Sequence, residues 1–235
     1  MDAEVAPPAG GRGPILVIDD HELFGTALTA ALRARGFDAH QLPLTDEDTI
    51  LAAAARHEPG LVLLDLGLGV DASGRSMHGA ALVPALRGQG NRVLVVTGRQ
   101  DEPGTAAAIA AGAIGTRTKT GSFDELLDAL VRAWAGEPVT TEPERQRWLA
   151  RARRDDARHR HREHRLRRLS PAEYEVLLLL AGGARAAAIA ERLDVPMAGI
   201  RTQIRAILTK LEVASQLEAV ALLFAEPADP TRPRG

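Results

Sequence analysis

Cysteine is absent from the 235 residues. That removes disulfides, thiolate nucleophiles and every cysteine-based zinc or iron–sulfur site, so the fold must rest on its apolar cores. Aromatic side chains make up 3%, a poor supply for stacking single-stranded bases. Lysine is nearly missing too: Lys119 and Lys210 stand alone among basic residues that are otherwise arginine. No apolar run approaches the roughly 20 residues that cross a bilayer. The opening MDAEVAPPAGGRG carries acids and prolines where an export signal has a basic start and an apolar stretch. These absences predict a soluble, cytoplasmic chain with no membrane partner. At roughly 150 residues per domain, it holds one large domain or two modest ones.

The charge is small in total, −2, and uneven in place. Residues 1–143 sum to −8, residues 144–168 set eleven arginines against four acids, and residues 169–235 sum to −1. From Pro14 onward, short apolar runs alternate with helical patterns: ILVID, HELFGTALTAALRARG, DAHQL, DEDTILAAAARHEPG, LVLLDL, MHGAALVPALRGQG, RVLVVTG, DEPGTAAAIAAG, AIGTRTK and SFDELLDALVRAWAG. Unbroken Val, Ile and Leu runs mark strands buried on both faces of a parallel sheet. Residues 14–137 therefore predict an α/β domain of five βα units, doubly wound. Residues 138–168 read as an Arg-rich, solvated linker, helical in pattern. Residues 169–225 show four short helical patterns and predict a small all-α domain. Residues 1–13 and the proline-rich 226–235 are expected to be disordered.

Ligands of an open α/β sheet bind outside the carboxyl ends of its strands. Asp19 and Asp20 stand after the first strand, Asp65 ends the third, Thr97 ends the fourth with Gly98 beside it, and Lys119 follows the fifth. Three carboxylates converging there repel one another unless a cation joins them, and a hard, oxygen-seeking ion such as Mg²⁺ suits them. A carboxylate with a free oxygen can attack a phosphoryl donor while ammonium and hydroxyl groups meet the transferred oxygens.

These five positions resemble the receiver domain of bacterial two-component response regulators. The resemblance implies that Asp65 is phosphorylated by a partner histidine kinase. It also implies that Asp19, Asp20, Asp65 and the carbonyl of Gly67 hold Mg²⁺, and that Thr97, Gly98 and Lys119 meet the phosphoryl group. Other chemistries of this architecture fit poorly. A haloacid-dehalogenase-type phosphatase has a second Asp where this chain has Gly67, and a dinucleotide site has G-x-G-x-x-G where it has DDHELFG. Thr116 departs from the family, which places an aromatic switch residue there. The loop LGLGVDASGRSMHG after Asp65 is longer than usual.

The segment LSPAEYEVLLLLAGGARAAAIAERLDVPMAGIRTQIRAILTKLEVASQLEAVALL resembles the helix-turn-helix output domain of NarL/LuxR-type regulators. From Pro196 to Leu211, Ile200, Ile204, Ile207, Leu208 and Leu211 form one apolar stripe. No acid interrupts the other face, and an arginine there can read guanine O6 and N7 in the major groove. The resemblance implies DNA contacts by Arg201, Thr202, Gln203, Arg205, Thr209 and Lys210, and dimer contacts by the last helix. The domain's two aromatics, Tyr174 and Phe224, sit in core-like patterns. His159, His161 and His164 read as a solvated face, and the Arg-rich linker as a spacer or a source of extra phosphate contacts. Together these readings predict a homodimeric, non-enzymatic transcription regulator of double-stranded DNA. A receiver gated by a small ligand or protein partner without phosphorylation is the alternative, with a free-standing phosphohydrolase third.

Overall fold

Two unbroken apolar runs, ILVI and LVLL, form β1 (Ile15–Ile18) and β3 (Leu61–Leu64) at the centre of a five-stranded parallel sheet. The computed structural model describes residues 13–98 and 104–224. β2 (Ala39–Gln41), β6 (Arg92–Thr97) and β7 (Gly115–Thr118) complete the sheet in the order β2-β1-β3-β6-β7. Alternation in the pleat explains why the runs carry no polar residue. Leu16, Ile18, Val62, Leu64, Val93 and Val95 face one apolar cluster, and Ile15, Val17, Leu61, Leu63, Leu94 and Val96 face the other. The first is covered by α2 (Glu47–Ala54), α3 (Gly79–Gly88) and α4 (Thr105–Ala110), the second by α1 (Glu22–Ala34) and α5 (Phe123–Ala135). The doubly wound α/β expectation holds.

The long loop after Asp65 is not structureless. It folds as an antiparallel hairpin of β4 (Gly67–Val70) and β5 (Ser76–His78), outside the main sheet. The Asp71 carboxylate closes its turn, accepting from the Ser73 and Arg75 backbone N–H groups and from both side chains. Those bonds hold Asp71 far below the ordinary carboxylate range. Leu68 and Met77 bury against the first cluster while Val70 stays exposed.

Residues 142–167 form one helix, α6 (Glu142–Arg167). Its early turns correct the expectation of a wholly solvated spacer: Trp148 is buried in the first cluster, Leu149 and Ala152 pack beside it, and Arg145 donates to the Ala113 carbonyl. Two compact units divide between Arg153 and Arg154.

In the second unit, α7 (Pro171–Ala181), α8 (Ala186–Leu193), α9 (Met197–Leu211) and α10 (Gln216–Phe224) surround Val176, Leu177, Ile189, Ile200, Ile204, Ile207, Leu211 and Ala219. Ser170 and Glu173 form a reciprocal capping box at the start of α7, which fixes where that helix begins. Helices α8 and α9 end on Asp194 and Glu212, both left-handed at φ 54°. Tyr174 and Phe224 are exposed, contrary to their core-like pattern. Among the described residues, no helix is long and apolar enough to cross a membrane. Residues 1–12 and 226–235, expected to be disordered, lie outside the described residues.

Candidate functional sites

The strand order reverses between β1 and β3, which opens a crevice at their carboxyl ends. Register sets what stands there. Ile18 pairs with Leu64, and the Asp65 N–H donates to the Ile18 carbonyl, so Asp19 and Asp65 leave their strands level. On the far side, the Lys119 N–H donates to the Thr97 carbonyl. Gly79 completes the frame. A Cβ there would lie 1.9 Å from the Asp65 carbonyl oxygen, so only glycine lets α3 start this close to the acid.

The Lys119 ammonium lies 2.5 Å from Asp65 Oδ2 and 2.7 Å from Asp19 Oδ2, with Phe24 beneath it at 5.0 Å. Asp65 Oδ1 accepts from the Leu66 N–H at 2.7 Å. Burial pushes the Asp65 carboxyl above its ordinary value, and the hydrogen bond and charge of Lys119 pull it part of the way back. For Lys119 burial works against the charge, but bonds to Asp19 and Asp65 outweigh it and hold the ammonium more basic than usual. The result is a buried pocket with an excess of negative charge, in which Lys119 stays a cation.

Asp20 is exposed at the rim. It bonds His21 Nδ1 at 2.7 Å, and one ligand atom from each of Asp19, Asp20, His21 and Asp65 lies within 4.8 Å of the others. Three carboxylates at that spacing fit a hard divalent cation. Gly67 opens β4 two residues beyond Asp65, and a Cβ on Gly69 would stand 3.9 Å from Asp20 Oδ2, which places this backbone beside the rim. His21 joins the cluster with no sequence signal beyond its place directly after Asp20.

Thr97 is fully buried, and among the described residues nothing stands within 4 Å of where a Gly98 side chain would start. Thr116 pairs with Val95 and is buried, and its hydroxyl finds no partner among the described residues.

On α9, Arg201, Thr202, Arg205 and Thr209 share the exposed side. The Thr202 and Thr209 hydroxyls donate to the Ala198 and Arg205 carbonyls. Two other expected DNA contacts are placed differently. Gln203 is half-buried, and Lys210 Nζ turns inward to both Glu173 oxygens, at 2.8 and 2.6 Å. That bond, with the Ser170 N–H, holds Glu173 below the ordinary glutamate range. Lys210 thus ties α9 to α7. Among the linker histidines, His161 and His164 are exposed, whereas His159 is buried between Glu163 and Arg162.

Comparison with known proteins bears on both units. Residues 15–131 match the family described as response regulator receiver domain, and residues 167–223 match bacterial regulatory proteins, luxR family. The nitrate/nitrite response regulator protein NarL of Escherichia coli K12 is 27% identical over 214 residues, covering 90% of this chain and 95% of that one. The glycerol metabolism activator of Pseudomonas putida is 28% identical over 88% of this chain and 92% of its own. The transcriptional regulatory protein LiaR of Bacillus subtilis is 27% identical over 87% and 93%.

Proposed function

The chain belongs to the DNA-binding response regulators that join a receiver domain to a LuxR-family output domain, and from that premise we propose that phosphorylation of Asp65 by a partner histidine kinase controls its binding to double-stranded DNA. The observation that carries this reading is the Lys119 ammonium bridging Asp19 and Asp65 at the strand ends. In the transfer, an Asp65 carboxylate oxygen attacks the phosphorus of a phosphohistidine. The P–N bond breaks, and the kinase imidazole leaves with the electron pair. Lys119, held charged, meets one phosphoryl oxygen, and the Thr97 hydroxyl another; Gly98 leaves the approach open. Asp19, Asp20, Asp65 and the Gly67 carbonyl are the groups that would hold Mg²⁺, which when bound neutralises charge on the transferred group. Phosphorylation then favours paired output domains, and Arg201, Thr202 and Arg205 read the major groove. Two linked half-site readers bind more tightly than one through effective concentration.

Intact-mass measurement of the full chain with Mg²⁺ and acetyl phosphate tests the receiver step. One phosphoryl adduct, absent in Asp65→Asn, is the expected result. A folded protein that takes no adduct would favour a receiver gated by a ligand or protein partner, a reading that the non-aromatic Thr116 supports.

A further inference from the structure

We propose that the exposed face of α6 from Arg154 onward is a second DNA contact, which grips backbone phosphates and reads no bases. The inference rests on the DNA-binding reading of the output unit and adds to it a surface outside the four-helix domain.

The four-helix body is short of positive charge. Residues 169–224 carry five basic side chains against six acids, and only Arg201 and Arg205 among them stand exposed on α9. Duplex DNA presents about one charge per 1.7 Å of its axis, and affinity in ordinary salt depends on how many phosphates a protein neutralises. Residues 154–168 supply what is missing, with seven arginines against three acids.

Placement sorts these charges. Every exposed residue from 154 to 168 is basic except Ala157: five are arginines, at 154, 158, 160, 167 and 168, and two are His161 and His164. At 100° per residue the five arginines fall within about half of the helix circumference. The acids Asp155, Asp156 and Glu163 are all half-buried. They reach Arg158, Arg160 and Arg167 at 3.5, 3.1 and 3.2 Å. Exposed intrahelical pairs of this kind contribute little, so exchanging them for phosphates costs little.

The face is also tied to the reading helix. Leu166 packs against the output core, Arg165 donates to the Glu212 carbonyl at 3.1 Å, and Arg168 pairs with the Glu212 carboxylate at 2.5 Å. Glu212 caps α9. Ten residues separate it from Thr202, about 15 Å at the helical rise, comparable with the roughly 12 Å width of the major groove whose walls carry the phosphates. A mobile basic tail would lack this fixed relation to the base-reading residues.

The test is fluorescence anisotropy of the full chain with a labelled 24-base-pair duplex of random sequence, titrated between about 50 and 200 mM NaCl. A variant with Arg154, Arg158, Arg160 and Arg167 changed to Gln leaves the Arg165 and Arg168 anchors in place, and circular dichroism checks its helix content. The expected result is a slope of log K against log salt shallower by about 0.9 for each phosphate no longer neutralised, roughly 2 to 4 in all, with at least tenfold weaker binding at low salt. The same four positions changed to Lys should restore the slope. An unchanged slope in the Gln variant overturns the inference and leaves base reading by α9 intact. Equal loss in the Lys variant overturns it as well, because it would mark a structural role. If the parent chain binds no duplex at any salt while Arg201→Ala behaves identically, the DNA-binding reading falls together with the inference.

Discussion

Among the described residues, Lys119 is the ammonium that the buried Asp19 and Asp65 share, and its neighbours define what each substitution does. Lys119→Met would leave Asp19 and Asp65 facing each other without a counter-charge, a loss of about 3–5 kcal/mol readable by urea denaturation. Asp65→Asn should cost far less, because Asp19 keeps the ammonium and a burial-disfavoured charge is gone. Thr116 offers the opposite sign. Its hydroxyl, without a partner among the described residues, makes Thr116→Val a gain of about 1 kcal/mol, or a rise of about 4 °C in the Tm of the sheet unit. Glu173 sets a pH dependence in the output unit. Its folded pKa lies below the ordinary 4.5, so the stability from its bonds to Lys210 and Ser170 is complete above 4.5 and is lost as pH falls through the depressed value. Glu173→Gln should flatten the acid limb of Tm against pH. Most of this chemistry was legible in the chain, because Asp19, Asp20, Asp65 and Thr97 stand at or just beyond the ends of strands that apolar runs announce, and Lys119 follows the last strand. The roles of Lys210 and Gln203 were not, since helical spacing alone does not say which polar residues turn inward.

Elements show where pattern reading succeeds and where it stops. β1 and β3 are read easily because both faces are buried and every residue is apolar. The β4–β5 hairpin was hidden: GLGV and SMH are short and at most half apolar, and what closes the turn is a side chain, Asp71. Trp148 escaped because its charged neighbours in α6 mask one buried face. Helix α3 makes the sharpest prediction at this scale. Gly79→Ala forces its first turn away from the Asp65 carbonyl, an overpacking penalty of about 1–3 kcal/mol. It should slow phosphoryl uptake in the mass assay more than a comparably destabilising Leu86→Ala, which acts at the far end of the same helix.

At the scale of the whole molecule, the chain divides into two compact units, each built around its own apolar core. Calorimetry should therefore resolve two transitions. Ile204→Ala should lower only that of the output unit, and Leu64→Ala only that of the receiver; a single transition moved equally by both would contradict this division. The charge imbalance between the two parts of the chain was readable from sequence. The one-sided arrangement along α6 is masked in the linear sequence, where Asp155, Asp156 and Glu163 interrupt the arginines, and emerges once the run is wound as a helix.

The hairpin after Asp65 has its two ends, Gly67 and His78, paired across from each other, and its turn is fastened from within. A change at its tip, between Val70 and Ser76, therefore alters the loop without moving Gly67 at the rim or the buried Leu68 and Met77. The rim can thus vary at this tip while the parallel strands keep their register.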